Sequence, residues 1–218
     1  RRTLGREEFK MALGDWYSNI HLLIRWLHVL AGITWIGMLY FFNFVNVPLQ
    51  AALDDAGKKA VNSKLMPRAL WWFRWGAMIT FLAGLWLFTQ LYMYTPGLGF
   101  GPSNLMTDAQ GITDRAWWIL VGMTLGTIMW FNVWFIIMPA QRKILGGKTP
   151  AEELPPIRRR AYLASRTNTY LSGPMLFGML AASHYGAINL VTLLIFAAIA
   201  VGLIWHAIKF SGKVGTSI

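Results

Sequence analysis

The stretch from Asn19 to Val47 is predominantly apolar and long enough to cross a bilayer. A hydrocarbon core of about 30 Å takes roughly 20 apolar residues at about 1.5 Å of helical rise each. A membrane-spanning helix is therefore the first constraint on the fold. Within it His21, Arg25, His28, Gly32, Trp35, Leu39, Phe42 and Asn46 recur at alternating spacings of four and three, which aligns them on one helix face. Polar groups are costly against lipid, so this stripe should turn toward protein, a cofactor or water. His28 lies well inside the span.

Four more apolar runs follow, and together they predict an all-α, polytopic transmembrane helical bundle. Its five spans lie at about 20–47, 69–94, 116–138, 161–185 and 188–210. Residues 1–18 read as an interfacial segment and 19–218 as a single transmembrane domain. The third span carries Gly122-x-x-x-Gly126, a spacing that lets two helix backbones approach closely. Between spans, 50–68 reads as a polar loop and 96–114 as an irregular one rich in Gly and Pro. Thr149-Pro150-Ala151-Glu152 reads as a capped helix start, stopped within two turns by Pro155-Pro156.

Lys and Arg number 20 against 9 Asp and Glu, a formal charge of +11. The positive charges collect between apolar runs, at Lys58, Lys59, Lys64 and Arg68 and again at Arg142, Lys143, Lys148 and Arg158 to Arg160. That pattern fits membrane orientation and anionic headgroups, and argues against nucleic acid as the partner. It places the basic loops and the C-terminus on the cytoplasmic side of a bacterial inner membrane.

The chain has no cysteine, which excludes disulfides, thiolate metal sites and the thioether attachment of c-type haem. A haem held by this sequence must use His or Met. His28 is the favoured axial ligand, and His184, at the end of a second stripe through Arg166, Tyr170, Gly173, Phe177 and Leu180, is its expected partner. Gly32, one turn from His28, leaves space for a flat macrocycle. Arg25 and Arg74 are candidate partners for its propionates. His206, near the end of the last span, is a weaker candidate ligand, and His21 reads as an interfacial or hydrogen-bonding residue. Asn43, Asn46 and Asn132 read as polar contacts between helices.

The run Arg25-Trp26-Leu27-His28-Val29-Leu30-Ala31-Gly32-Ile33-Thr34-Trp35-Ile36-Gly37-Met38, with Arg166-Thr167-Asn168-Thr169-Tyr170-Leu171-Ser172 and Ser183-His184-Tyr185, resembles the membrane domain of the PuuD family of cytochrome c-linked urate oxidases. The Leu-His-Val and Trp-Ile-Gly-Met-Leu pieces are also similar to HemJ-type protoporphyrinogen oxidases and, more loosely, to CopD copper-resistance membrane proteins. The HemJ-type likeness implies haem b, with the ligand role falling on His28. The PuuD likeness implies urate as a substrate and a C-terminal cytochrome c domain, which this sequence does not contain. Electrons leaving this chain are then expected to reach a partner cytochrome c or a larger membrane redox complex. The expected function is b-type haem electron transfer, with oxidase activity only alongside such a partner. A haem-free accessory subunit of a respiratory or photosynthetic complex and a HemJ-like oxidase are the alternatives.

Overall fold

The computed structural model describes residues 15–215, so the predicted interfacial segment lies outside the described residues except for its last four. Five long helices carry the fold. Helix α1 is Trp16–Ala52, α2 is Asp55–Tyr92, α3 is Asp114–Leu145 and α5 is Leu190–Ser211, and each is long and apolar enough to cross a membrane. Helix α4, Leu154–His184, is as long but more polar. It keeps Asn168, Thr169 and Ser172 fully buried, so much of its polarity faces protein.

Side-chain caps set several helix starts. Asp15 accepts from the Ser18 amide, Asp54 from that of Gly57 and Thr113 from that of Ala116. Asn189 and Thr192 form a reciprocal capping box at the head of α5. Such caps satisfy amides that the first helical turn leaves without partners.

The polar segment 50–68 is not a loop. α1 runs on to Ala52 and α2 starts at Asp55, because the Asp54 cap turns the chain within two residues and the Ala, Lys, Leu and Met of this segment propagate helix well once outside the bilayer. The reading of 149–156 is also corrected. Thr149 does not cap a helix. A short 3₁₀ turn spans Ala151–Glu153, and Pro155 and Pro156 open α4 instead of stopping a helix. Proline is tolerated in a first turn because its missing N–H had no intrahelical partner to lose. The 96–114 loop folds into two small antiparallel ladders, β1 (Tyr94–Thr95) with β2 (Gly99–Phe100) and β3 (Thr107–Asp108) with β4 (Gly111–Ile112). Gly97, Gly99 and Gly111 take positive φ at these turns.

The helices run alternately up and down. One end gathers the α1–α2 and α3–α4 connections with Lys58, Lys59, Lys64, Arg68, Arg142, Lys143 and Arg158 to Arg160, and is called the basic end below. At the opposite end the Tyr17 hydroxyl donates to the Gln90 carbonyl at 2.8 Å and the Trp118 indole to the Gly186 carbonyl at 3.3 Å.

Small residues let backbones meet. A Cβ on Gly122 would lie 2.9 Å from the Met179 amide nitrogen, and one on Gly178 would lie 2.9 Å from that of Gly122. α3 and α4 thus touch backbone to backbone, as the Gly122-x-x-x-Gly126 spacing predicts for its first glycine. Gly76 does the same for α2 against α1, where its Cβ would stand 3.1 Å from the Trp35 nitrogen. Between these contacts sits one core of Trp35, Leu39, Phe42, Phe73, Ala77, Met129 and Val133.

Both α1 and α3 widen into a π-helical segment, at Phe41–Asn46 and Asn132–Ile137. Such bulges concentrate near functional sites. Here each carries asparagine. Asn43 bridges to the Ser165 hydroxyl at 2.9 Å, and Asn132 donates to Asn168 at 2.8 Å while Asn168 donates to the Met129 carbonyl at 2.9 Å.

Candidate functional site

His28 lines a cleft of about 440 Å³ between α1, α2, α3 and α4, with Gly32, Trp35, Thr80, Gly84, Met123, Gly126, Met175 and Met179 among its walls. The lining is almost wholly apolar. Val29, Ile33 and Leu180 on its rim are exposed, so the cleft opens sideways to the lipid-facing surface. Its volume lies within the range that holds a cofactor-sized ligand.

The orientation of the imidazole is fixed by α2. His28 Nδ1 lies 2.9 Å from the Thr80 carbonyl oxygen, and since a carbonyl only accepts, Nδ1 carries the proton. The proton is then off Nε2, which makes no hydrogen bond among the described residues. A metal-ligating histidine is held in this way, with one ring nitrogen donating to a carbonyl and the other presenting its lone pair. Gly84 completes the cradle: a Cβ there would sit 2.9 Å from His28 Cε1 and 3.3 Å from Nδ1. Only glycine leaves the ring its place.

The fit of haem b can be tested on these features. A single neutral imidazole facing a dry cleft suits an axial ligand, and Met123, Met175 and Met179 on the walls offer thioether sulfur, the other ligand type open to a chain without cysteine. Trp35, also lining the cleft, has a buried indole N–H with no acceptor. The residues present fit the group.

The remaining predicted residues fall as follows. Gly32 lines the cleft, and a Cβ there would meet only Thr80 at ordinary contact distance. Arg25 lies one turn toward the opposite end on the His28 face, exposed, and donates to His21 Nε2 at 3.2 Å. His184 does not line the cleft: it is exposed one turn beyond Leu180, with Nδ1 donating to that residue's carbonyl at 3.0 Å. The expected His28–His184 pair is therefore not brought together, because at the last turn of α4 Ala181 and Ala182 face the bundle while the His184 ring turns back onto its own helix. His206 is exposed on α5 and stacks on Phe210. Arg74 faces the basic end against the edge-to-face pair of Trp75 and Trp134, away from the cleft.

A second cavity, of about 270 Å³, opens at the basic end, and sequence reading did not single it out. The first π-segment brings Asn43 and Asn46 to it, α2 contributes Asn62, α3 Gln141 and α4 Arg158, Tyr162 and Ser165, above an apolar floor of Phe42, Leu70 and Phe73. Gln50 and Asn62 exchange two amide hydrogen bonds, at 2.9 and 3.0 Å, which fixes both side chains. Asn43 spends its amide on Leu39 and Ser165, and Asn46 accepts from Gln50, so an acceptor on Asn43 and a donor on Asn46 stay uncommitted one turn apart. Among the described residues no carboxylate lines it. Such a surface matches a small ligand that both donates and accepts, with negative charge toward Arg158.

A family model described as urate oxidase N-terminal matches residues 103–211, which takes in the β3–β4 ladder, α3, α4 and α5. The matched stretch includes Met123, Met175, Met179, Arg158 and Ser165 from the two cavities, whereas His28 and Asn43 stand outside it. No curated protein and no solved structure matches the chain. With half its length matched by that model, the chain belongs to the urate oxidase N-terminal family.

Proposed function

We propose that this chain is a membrane electron-transfer protein that binds haem b in the His28 cleft and works with a partner cytochrome c or a larger redox complex. The observation that carries the reading is the His28 ring, locked by the Thr80 carbonyl and Gly84 so that Nε2 faces an apolar cleft. Haem b supplies one-electron oxidation and reduction when bound. His28 would hold the iron, the apolar walls from α3 and α4 would exclude water, and Arg25, one turn from His28 on α1, would offer a cation to a propionate. The amide-lined cavity at the basic end is the proposed substrate site. Urate, named by the family, has the alternating donors, acceptors and negative charge for which Asn43, Asn46 and Arg158 are suited. The basic end is proposed to face the cytoplasm of a bacterial inner membrane.

A reduced-minus-oxidised spectrum of the purified chain tests the cofactor. b-type bands in the wild type, their loss in His28→Gly and their return on adding imidazole support it; a flat wild-type spectrum after haem loading, or full bands in His28→Gly, ends it. Uric acid consumption by membranes containing the chain with and without added cytochrome c tests the substrate separately. A chain without bands or turnover would be a packing subunit.

A further inference from the structure

Outside both cavities, the α2–α3 seam at the basic end carries cations that meet no carboxylate among the described residues. A groove of about 340 Å³ there is lined by Leu70, Trp71, Arg74, Met138, Arg142 and Leu145, among others. Arg74 is held by its faces, its guanidinium carbon 5.3 Å from the centroid of Trp75 and 5.6 Å from that of Trp134. Its Nε is buried and makes no hydrogen bond. Arg142 is exposed in the same groove and forms no ion pair. On the far side of Trp71, a second depression carries Lys64 and Arg68. Among the described residues the one ion pair is Lys58 with Asp55, so none of these four cations meets a carboxylate.

A guanidinium packed beside two indoles, with a buried Nε that makes no hydrogen bond, is costly at the membrane's edge unless an anion joins it. Trp71, Trp72 and Trp75 are exposed beside it, the residue type that settles at headgroup level. We infer that the α2–α3 groove is a specific binding site for an anionic phospholipid, its phosphodiester held by Arg74 and Arg142 and an acyl chain lying over Leu70, Trp71 and Leu145. Basic pockets between spanning helices select such headgroups over zwitterionic ones by net charge, and bidentate contact to phosphate oxygens suits arginine. Lys64 and Arg68 extend the positive field without entering the groove.

The test uses the full chain in nanodiscs of phosphatidylcholine, with phosphatidylglycerol titrated in and binding read by native mass spectrometry. The wild type should retain phosphatidylglycerol in preference to phosphatidylcholine, and each cation removed should weaken retention roughly fivefold. Arg142→Gln, on an exposed side chain, reads the effect without disturbing the core; Arg74→Gln is read only where circular dichroism matches the wild type. Equal retention of the two lipids by the wild type, or unchanged preference in Arg142→Gln, overturns the proposal. Protection of the site by millimolar inorganic phosphate in place of lipid would also overturn it, since the acyl wall would then play no part.

Discussion

Substituting Gly84 by alanine perturbs the proposed haem site without touching a ligand. The new methyl would stand 2.9 Å from His28 Cε1 and 3.3 Å from Nδ1, and α2 cannot retreat because Gly76, two turns away, already packs against the α1 backbone. The imidazole must therefore swing, and the 2.9 Å bond to the Thr80 carbonyl stretches or breaks. Overpacking of this kind costs about 1–3 kcal/mol. Replacing glycine by alanine inside a helix returns roughly 0.5–1 kcal/mol, so the net loss of stability should fall between near zero and about 2.5 kcal/mol. The effect on the cofactor is larger in proportion, since a lost carbonyl orienter weakens metal binding by about 10–100-fold. Haem affinity and fold stability should thus separate. Titrating haem into the purified variant while following the Soret band, with a thermal melt alongside, measures both. Gly202→Ala, where a Cβ on α5 meets nothing within 4 Å, is the control. Gly84→Ala binding haem within twofold of wild type would refute the cradle.

The other predictions concern the scaffold that holds the two cavities in place. Gly122→Ala should destabilise the bundle by about 1–3 kcal/mol, because its methyl meets α4 backbone at 2.9 Å, whereas Gly126→Ala, with side-chain contacts at 3.8 Å, should be close to neutral; thermal unfolding in detergent compares them. Asn168→Leu should cost about 1–3 kcal/mol by stranding the Asn132 side-chain amide and taking the second donor from the Met129 carbonyl, and the double variant with Asn132→Leu should recover part of it in a double-mutant cycle. Asn189→Ala removes the capping box and should lower stability by about 1 kcal/mol, read as faster local amide exchange at the head of α5.

The five long helices, four of them apolar enough to span a membrane, and the His28 stripe were legible because bilayer thickness and helical period act on sequence directly, through run length and three-four spacing. Helix ends were less so. Beyond the apolar runs, capping at Asp54 and the tolerance of proline in a first turn decided where α2 and α4 begin, and hydropathy does not register either. The same limit hid the amide-lined cavity. Its residues come from four helix ends dispersed along the chain, and their alignment depends on π-segments that rotate Asn43 and Asn46 relative to an unbroken α-helix. No periodicity in a single segment reports such a rotation.

That rotation also links the two halves of α1. Up to Tyr40 the helix keeps α-helical register, which sets His28 against Thr80 and Gly84; from Phe41 the wider turn redirects the polar stripe toward Ser165 and the basic end. An unbroken α-helix would carry Asn43 and Asn46 on a different bearing relative to His28. One helix thereby serves an apolar cleft near its middle and an amide-lined cavity near its end. Trp35 reaches the first, Phe42 the second, and Leu39, fully buried, stands between them on the same core.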